Sequence, residues 1–160
     1  MQRRIMRPMA SISTRLSELG LTIPAVPGPF GAYVPAKRVG NLVFVAGQLP
    51  AAAGKVMATG QVPSRASVGD AQRGARQCVL NGLAAAATVV PIDDLVGVVR
   101  VGVFVSSDPA FHQQPQVANA ASELLKEIFG DAGQHARAAV GAAALPMDAT
   151  VEIEFIFEVR

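Results

Sequence analysis

Apolar and polar positions alternate with a period of two in some segments of the chain and with a helical period in others. Tyr33 to Val39 and Leu42 to Gly47 have strand-like patterns. They flank Gly40-Asn41, two residues that tolerate a positive φ and favour a hairpin turn. A β-branched run from Val96 to Val105 predicts a further strand. The first half of the chain therefore carries a predicted β-hairpin, and a further strand follows it along the chain.

The C-terminal part of the chain predicts two more strands, over 136–144 and 150–159. In the last strand one face is apolar, formed by Val151, Ile153, Phe155, Phe157 and Val159. The other face carries three glutamates, Glu152, Glu154 and Glu158. Because a short turn at 145–148 joins the two segments, we expect a closing hairpin that extends from Arg137 to Arg160.

Two long segments have helical periodicity. The first extends from about Ser67 to Val90 and stops at Pro91, and the second covers about Pro115 to Phe129 and stops at Gly130. With the strands, the order is ββ, α, β, α, ββ, which predicts an α+β fold with a sheet covered by two helices on one face. The other face is left uncovered, so we expect a homo-oligomer.

Residues 1–20 are predicted to be an N-terminal extension, and residues 21–160 a single domain. Ser11 or Ser13 can cap a short helix that continues to Leu19, and Gly20 ends it. The following segment, up to Gly31, is rich in proline and glycine and predicts an arm that leads into the domain.

Composition narrows the function classes. The net charge of +2 depends on Arg3, Arg4 and Arg7, without which the balance is minus one, 11 basic against 12 acidic residues. This argues against nucleic-acid binding, which needs a basic face. The single cysteine, Cys78, fits a reducing compartment and a cytoplasmic location. The longest apolar run, Leu83 to Val90, is too short for a bilayer, so no membrane partner is expected.

Arg137 is the first candidate for chemistry. It lies in an alanine-rich strand, where an unpaired guanidinium is costly, and its planar fork suits a carboxylate. A structural ion pair to Glu152 or Glu154 is the alternative. Glu152 could hold a water or transfer a proton if partial burial raised its pKa, and the alternative there is a solvated strand face.

Other positions could line a pocket around Arg137. Gly47 ends the second strand and allows a ligand to approach the backbone, although a plain turn explains it equally well. Tyr33 and Asn119 are polar groups that could contribute, or routine strand and helix residues. His112 and His135 have no partners at metal-ligand spacing, so we expect no metal. His135, two residues before Arg137, could titrate near the site, although a loop histidine is the favoured interpretation. Nucleotide-binding motifs are absent from the sequence, and no cofactor is predicted.

Several motifs, in order and spacing across about residues 30–160, resemble the RidA/YjgF superfamily. They are Gly40-Asn-Leu-Val-Phe-Val-Ala-Gly-Gln-Leu-Pro50, Gln116-Val-Ala-Asn119, Ala136-Arg-Ala-Ala-Val140 followed by Leu145-Pro146, and Val151-Glu-Ile-Glu154. The resemblance implies a chorismate-mutase-like fold and a homotrimer whose sheets form a central barrel, with small-molecule sites between subunits. The best understood members are deaminases that hydrolyse imines and enamines to 2-oxo acids and ammonia.

By the same resemblance, Arg137 matches the arginine that binds the substrate carboxylate and Glu152 matches the glutamate that holds water. Tyr33, Gly47 and Asn119 match further pocket positions. The sequence departs from many deaminases at Ala46, where they have serine, and at Ala139, where they often have cysteine.

These departures remove polar atoms from the expected pocket, and three functions stay open. The first is hydrolysis of 2-imino or enamine acids. The second is a non-catalytic trimer that binds or senses small carboxylates. The third is an endoribonuclease, for which the sequence offers neither a basic groove nor an acid/base pair suited to a 2′-hydroxyl.

Overall fold

The computed structural model describes residues 10–27 and 31–160, and it is an α+β fold with three α-helices. The strands are β1 (Ala36–Val39), β2 (Leu42–Gln48), β3 (Ala51–Ala52), β4 (Lys55–Val56), β5 (Leu95–Ser106), β6 (Ala136–Ala142) and β7 (Val151–Val159). The helices are α1 (Ile12–Glu18), α2 (Val68–Ala86) and α3 (Gln114–Phe129). Short 3-10 turns cover Ile92–Asp94, Gly130–Gly133 and Pro146–Asp148. The predicted extension lies partly outside the described residues, because its first nine positions are not among them.

Five strands form one mixed sheet in the order β1-β2-β7-β5-β6, and β3 and β4 form a separate small ribbon. The predicted N-terminal hairpin is confirmed, because β1 and β2 are antiparallel and Gly40 has a φ of 60°. Tyr33 precedes β1 instead of belonging to it. The β2–β7 and β7–β5 pairs are antiparallel, and β5–β6 is the parallel pair.

The predicted closing hairpin is wrong. β6 does not pair with β7; it pairs in parallel with β5, and β5 separates the two C-terminal strands. The reason is that α3 connects β5 to β6 as a crossover on one face of the sheet, which requires the two strands to run in the same direction. β7, whose alternate side chains are fully buried, then takes the central position between β2 and β5.

One face of the sheet carries both long helices, as the sequence predicts. Small residues on α2 allow a close approach, and at Gly82 an added Cβ would lie 2.5 Å from the ring of Phe155. The rings of Phe155 and Phe157 stack at 5.5 Å between centroids in this core. The opposite face of the sheet, called the open face below, leaves Phe44 and Val140 42% and 47% exposed.

Helix α1 begins and ends at the residues predicted from the sequence, and hydrogen bonds attach it to the domain. Ser11 is its N-cap, and Gly20 follows its end with a φ of 68°. The Asp93 carboxylate accepts hydrogen bonds from the backbone N–H and the hydroxyl of Ser13, at 2.8 and 2.7 Å. These bonds hold the pKa of Asp93 below its usual range. Among residues 10–27 and 31–160, no helix combines the length and apolarity needed to cross a bilayer.

Candidate functional site

Arg137 lies on β6, the edge strand, and points to the helix-covered side of the sheet. Its register partner on β5 is Val101, which is fully buried under the helices and pairs in turn with Phe155. Residues paired across a sheet share a face. The alternative of an ion pair between Arg137 and a β7 glutamate is wrong, because Glu154 instead accepts from Arg100 at 2.9 Å.

The guanidinium of Arg137 is held at one nitrogen. Nη1 donates to Oδ1 of Asn119 at 2.9 Å and to Oγ of Ser122 at 3.1 Å, both on α3. Within the described part of the chain, Nε and Nη2 donate to no acceptor. These two nitrogens form the edge of the guanidinium that binds a carboxylate with two parallel hydrogen bonds. The structure thus orients Arg137 while leaving its carboxylate-binding edge free.

Two residues beside Arg137, Ser122 and His135, were not assigned to the site from the sequence. Oγ of Ser122 lies 2.9 Å from Nε2 of His135, and Nδ1 of His135 lies 2.6 Å from the carbonyl oxygen of Gly133. His135, interpreted from the sequence as a loop histidine, is half-buried next to α3. These groups line a surface cavity of about 300 Å³ that Arg137 also lines. The only sequence signal was the position of His135, two residues before Arg137.

Glu152 lies on the open face of the sheet. Its neighbours Val151 and Ile153 are fully buried on the helix side, so alternation along β7 directs Glu152 the other way. The carboxyl is half-buried and makes no hydrogen bond or ion pair with any residue that the structure describes. Burial, and secondarily the charge of Glu154, raises the pKa of Glu152 above its usual value. A carboxyl of this kind is suited to proton transfer.

Gly47 makes room for that carboxyl. A Cβ built on Gly47 would lie 2.9 Å from Cδ of Glu152, and closer still to its Oε1. The β2–β7 register shifts between Val45 and Gln48, so Gly47 has no Cα partner in this ladder. The irregularity brings the Gly47 backbone against the acid, and only a residue without a side chain fits there undisturbed.

The predicted site residues therefore form two separate groups in one chain. Arg137 and Asn119 are on the helix side, and Gly47 and Glu152 are on the open face. The register places Arg137 opposite Val101 and Phe155. Glu152 is two strands away and three residues further along β7, and these two offsets separate the Cα atoms of Arg137 and Glu152 by about 14 Å. Within one chain the two catalytic candidates cannot contact one small substrate.

The remaining predicted pocket residues lie apart from these contacts. Tyr33 is 58% exposed in the bend before β1. Ala139 is on the helix side, one alternation beyond Arg137, and packs against the core. Ala46 is half-buried beside Gly47, and its N–H donates to the carbonyl of Pro35 at 2.9 Å. Neither alanine supplies a polar side chain to its group.

Comparison with known proteins gives consistent matches along nearly the whole chain. Residues 24–159 match the family model described as Endoribonuclease L-PSP. Protein TCP17 of Trypanosoma cruzi is 37% identical over 151 residues, which cover 93% of this chain and 94% of the relative. A 2-iminobutanoate/2-iminopropanoate deaminase of Dermatophagoides farinae is 32% identical over 137 residues, which cover 85% and 92%.

Solved structures match as well. Protein Atu1372 of Agrobacterium tumefaciens, of unknown function, is 42% identical with a TM-score of 0.86 over 94% of both chains. The YjgF gene product of E. coli is 29% identical with a TM-score of 0.60, over 84% of this chain and 94% of that one.

Proposed function

We propose a function for this chain from the premise that it belongs to the endoribonuclease L-PSP family, within the RidA/YjgF superfamily. It hydrolyses 2-imino acids, or the enamines in equilibrium with them, to 2-oxo acids and ammonia. The reaction takes place at sites between the subunits of a homotrimer. The observation that carries the proposal is the oriented guanidinium of Arg137, whose Nε and Nη2 edge is free among the described residues. The relative named as a 2-iminobutanoate/2-iminopropanoate deaminase supports the same reaction.

The free edge of Arg137 binds the substrate carboxylate. Two parallel N–H donors match the two oxygens of a carboxylate and fix its plane as well as its position. The imine carbon is bonded directly to that carboxylate, so its position follows. Asn119 and Ser122 keep Nη1 occupied, which directs the substrate to the opposite edge of the guanidinium.

Glu152 activates the water. Its carboxylate accepts a proton as the water oxygen bonds to the imine carbon and passes it to the nitrogen, which gives a carbinolamine. Through the same carboxylate a second proton moves from the new hydroxyl to the nitrogen, so that the carbon–nitrogen bond breaks, the C=O bond forms and ammonia leaves. Imines hydrolyse readily without a catalyst, so a barrier lowered by about 3 kcal/mol, or roughly 100-fold in rate, is sufficient. This small requirement is compatible with the alanines at positions 46 and 139.

A second chain brings the two groups together. Arg137 is on an edge strand, where its side chain can extend past the sheet, and Glu152 is on the uncovered face. Apolar side chains, including Phe44 and Val140, are exposed on that face and favour its burial against another copy. In a closed trimer each site takes Arg137 from one subunit and Glu152 from the next.

The test is imine hydrolysis by the purified protein. An amino-acid oxidase generates 2-iminobutanoate in the presence of semicarbazide, and the rate of semicarbazone formation reports the imine that escapes hydrolysis. The parent protein is expected to lower this rate, and Arg137→Ala and Glu152→Gln to abolish the effect. Arg73→Ala is the control, because Arg73 is an exposed arginine of α2 whose salt bridge is to Asp70. No effect of the parent protein would refute the deaminase function.

A binding or sensor function is the alternative, because Arg137 serves it equally well. It predicts that 2-oxobutanoate raises the melting temperature of the parent but not of Arg137→Ala, with no imine hydrolysis in either. A monomer in sedimentation equilibrium would count against both functions, since both place the site between chains. Cleavage of RNA that Arg137→Ala abolishes would favour the endoribonuclease.

A further inference from the structure

We propose that Ser122 and His135 are positioning residues for Arg137. They fix its guanidinium through a relay, which is a chain of hydrogen bonds that all donate in the same direction. This inference rests on the proposed role of Arg137 in binding a carboxylate. The relay starts at the backbone carbonyl of Gly133 and passes through the imidazole and the hydroxyl to Nη1. Neither residue touches the reacting atoms, and both act through Arg137.

The Gly133 carbonyl sets the tautomer of His135. A carbonyl oxygen only accepts hydrogen bonds, so Nδ1, at 2.6 Å from it, carries the proton. In the neutral ring Nε2 is then an acceptor. The hydroxyl of Ser122, 2.9 Å away, donates to Nε2. The orientation of the serine hydroxyl is therefore determined by a backbone group two positions before His135.

A serine hydroxyl that donates to His135 keeps its lone pairs for another donor. Nη1 of Arg137 donates to this oxygen at 3.1 Å, and its second hydrogen goes to Asn119 at 2.9 Å. Both hydrogens of Nη1 are thereby engaged. An exposed arginine otherwise samples many rotamers, and fixing one nitrogen in advance lowers the entropy lost when a ligand binds the other edge.

The position of the Gly133 carbonyl depends on how closely the 130–133 turn packs against α3. A Cβ on Gly133 would lie 2.5 Å from the carbonyl oxygen of Leu125 and 3.0 Å from Cα of Lys126. Only glycine lets the 130–133 turn pack this closely against α3. The close packing brings the Gly133 carbonyl within hydrogen-bond distance of the His135 ring, which contacts Ser122 beside Arg137.

The first test is spectroscopic and needs no activity. Long-range ¹H–¹⁵N correlation spectra of the parent protein report the histidine tautomers, and His112→Gln assigns the two residues. We expect the Nδ1–H tautomer at His135 in the neutral ring. The Nε2–H tautomer would overturn the relay, because Ser122 would then have to accept from the ring.

The second test is binding of 2-oxobutanoate by calorimetry. Loss of a hydrogen bond to a charged group predicts a Kd raised roughly tenfold in Ser122→Ala and in His135→Phe. The double variant should be no weaker than either single variant, because one relay is removed only once. Ser122→Thr, which keeps the hydroxyl, should restore parental affinity, and His112→Phe is the matched control. Parental affinity in both folded single variants, or additive losses, would overturn the proposal.

The outcomes separate this inference from the proposed function. If the parent protein binds no 2-oxobutanoate, the proposed function fails, and the relay is judged from the Nη resonances of Arg137. Slow rotation about the guanidinium Nε–Cζ bond in the parent, faster in Ser122→Ala and in His135→Phe, supports the positioning role. Equal rotation in all three proteins refutes it.

Discussion

Gly47 is the position where a single methyl group would reach the candidate catalytic carboxyl. A Cβ there would lie 2.9 Å from Cδ of Glu152. The built Cβ lies closer still to Oε1 of Glu152, and non-bonded heavy atoms settle about 3.5 Å apart, so the carboxyl must retreat by at least roughly 1 Å in Gly47→Ala. Glu152 has a flexible side chain, and Gly47 is not among the glycines with a positive φ, so the backbone itself accepts alanine.

The expected result is a folded but inactive protein. Because only the end of the Glu152 side chain has to move, the free energy of unfolding should fall by less than about 1 kcal/mol. A catalytic group displaced by about 1 Å costs on the order of 100-fold in rate, so kcat/KM for imine hydrolysis should fall about that much. The affinity for 2-oxobutanoate should stay parental, because Arg137 is untouched.

Gly102→Ala is the matched control for this experiment. Gly102 is on the same face, and an added Cβ would lie 2.8 Å from Cγ and Oε1 of Glu154, the next glutamate along β7. Semicarbazone competition and urea unfolding are measured for both variants. Parental kcat/KM in a folded Gly47→Ala would refute the assigned role of Glu152. An equal loss in Gly102→Ala would show that the effect is not specific to that carboxyl.

Three further predictions concern stability and pH. Gly82→Ala should lower the free energy of unfolding, measured in urea, by about 1–3 kcal/mol, because the added methyl group meets the buried Phe155 ring. Gly69→Ala is the control and should not destabilise the protein, because no atom lies nearer than 3.6 Å to the added Cβ. Asp93→Ala should cost about 1 kcal/mol, as a lost helix cap does. Because the pKa of Asp93 is lowered, this difference is present above pH 3.8 and is lost as the pH falls through the folded-state pKa. The pKa of Glu152 is raised, so lowering the pH through that pKa should reduce kcat. By the same shift, Glu152→Gln should be more stable than the parent protein at pH 7, and it should lose this advantage below pH 4.5.

The sequence was sufficient to predict most elements and the helix-covered sheet. Periodicity placed the long helices and the apolar face of β7 correctly, because burial imposes those periods directly. It could not predict the pairing of β6. Strand pairing depends on the path of the connection, and the segment from 143 to 150 has the same turn-like composition whether it closes a hairpin or crosses over β5.

The sequence likewise predicted one part of the candidate site, Arg137, and not the contacts that hold it. Arg137 could be identified because an arginine in an alanine-rich strand needs a partner, but its partners Asn119 and Ser122 lie on a helix that only folding brings near. For His135 the position two residues before Arg137 was the only signal, because its contacts are with a backbone carbonyl and with a serine 13 residues away in sequence. Hydrogen bonds of this kind are set by three-dimensional packing and leave no periodic pattern.

The register of the sheet explains why the proposed active site needs a second chain. On β5 the odd-numbered positions from 101 to 105 face the helices, and they pair with odd-numbered positions on both β6 and β7. Arg137 therefore shares the helix face with Phe155, and the even-numbered Glu152 must take the open face. A slip of one residue in β7 would unite the two groups but would expose its whole apolar set. The stability of the core thus keeps the two candidate groups on opposite faces within one chain, and the proposed site joins the edge-strand arginine of one subunit to the open-face glutamate of another.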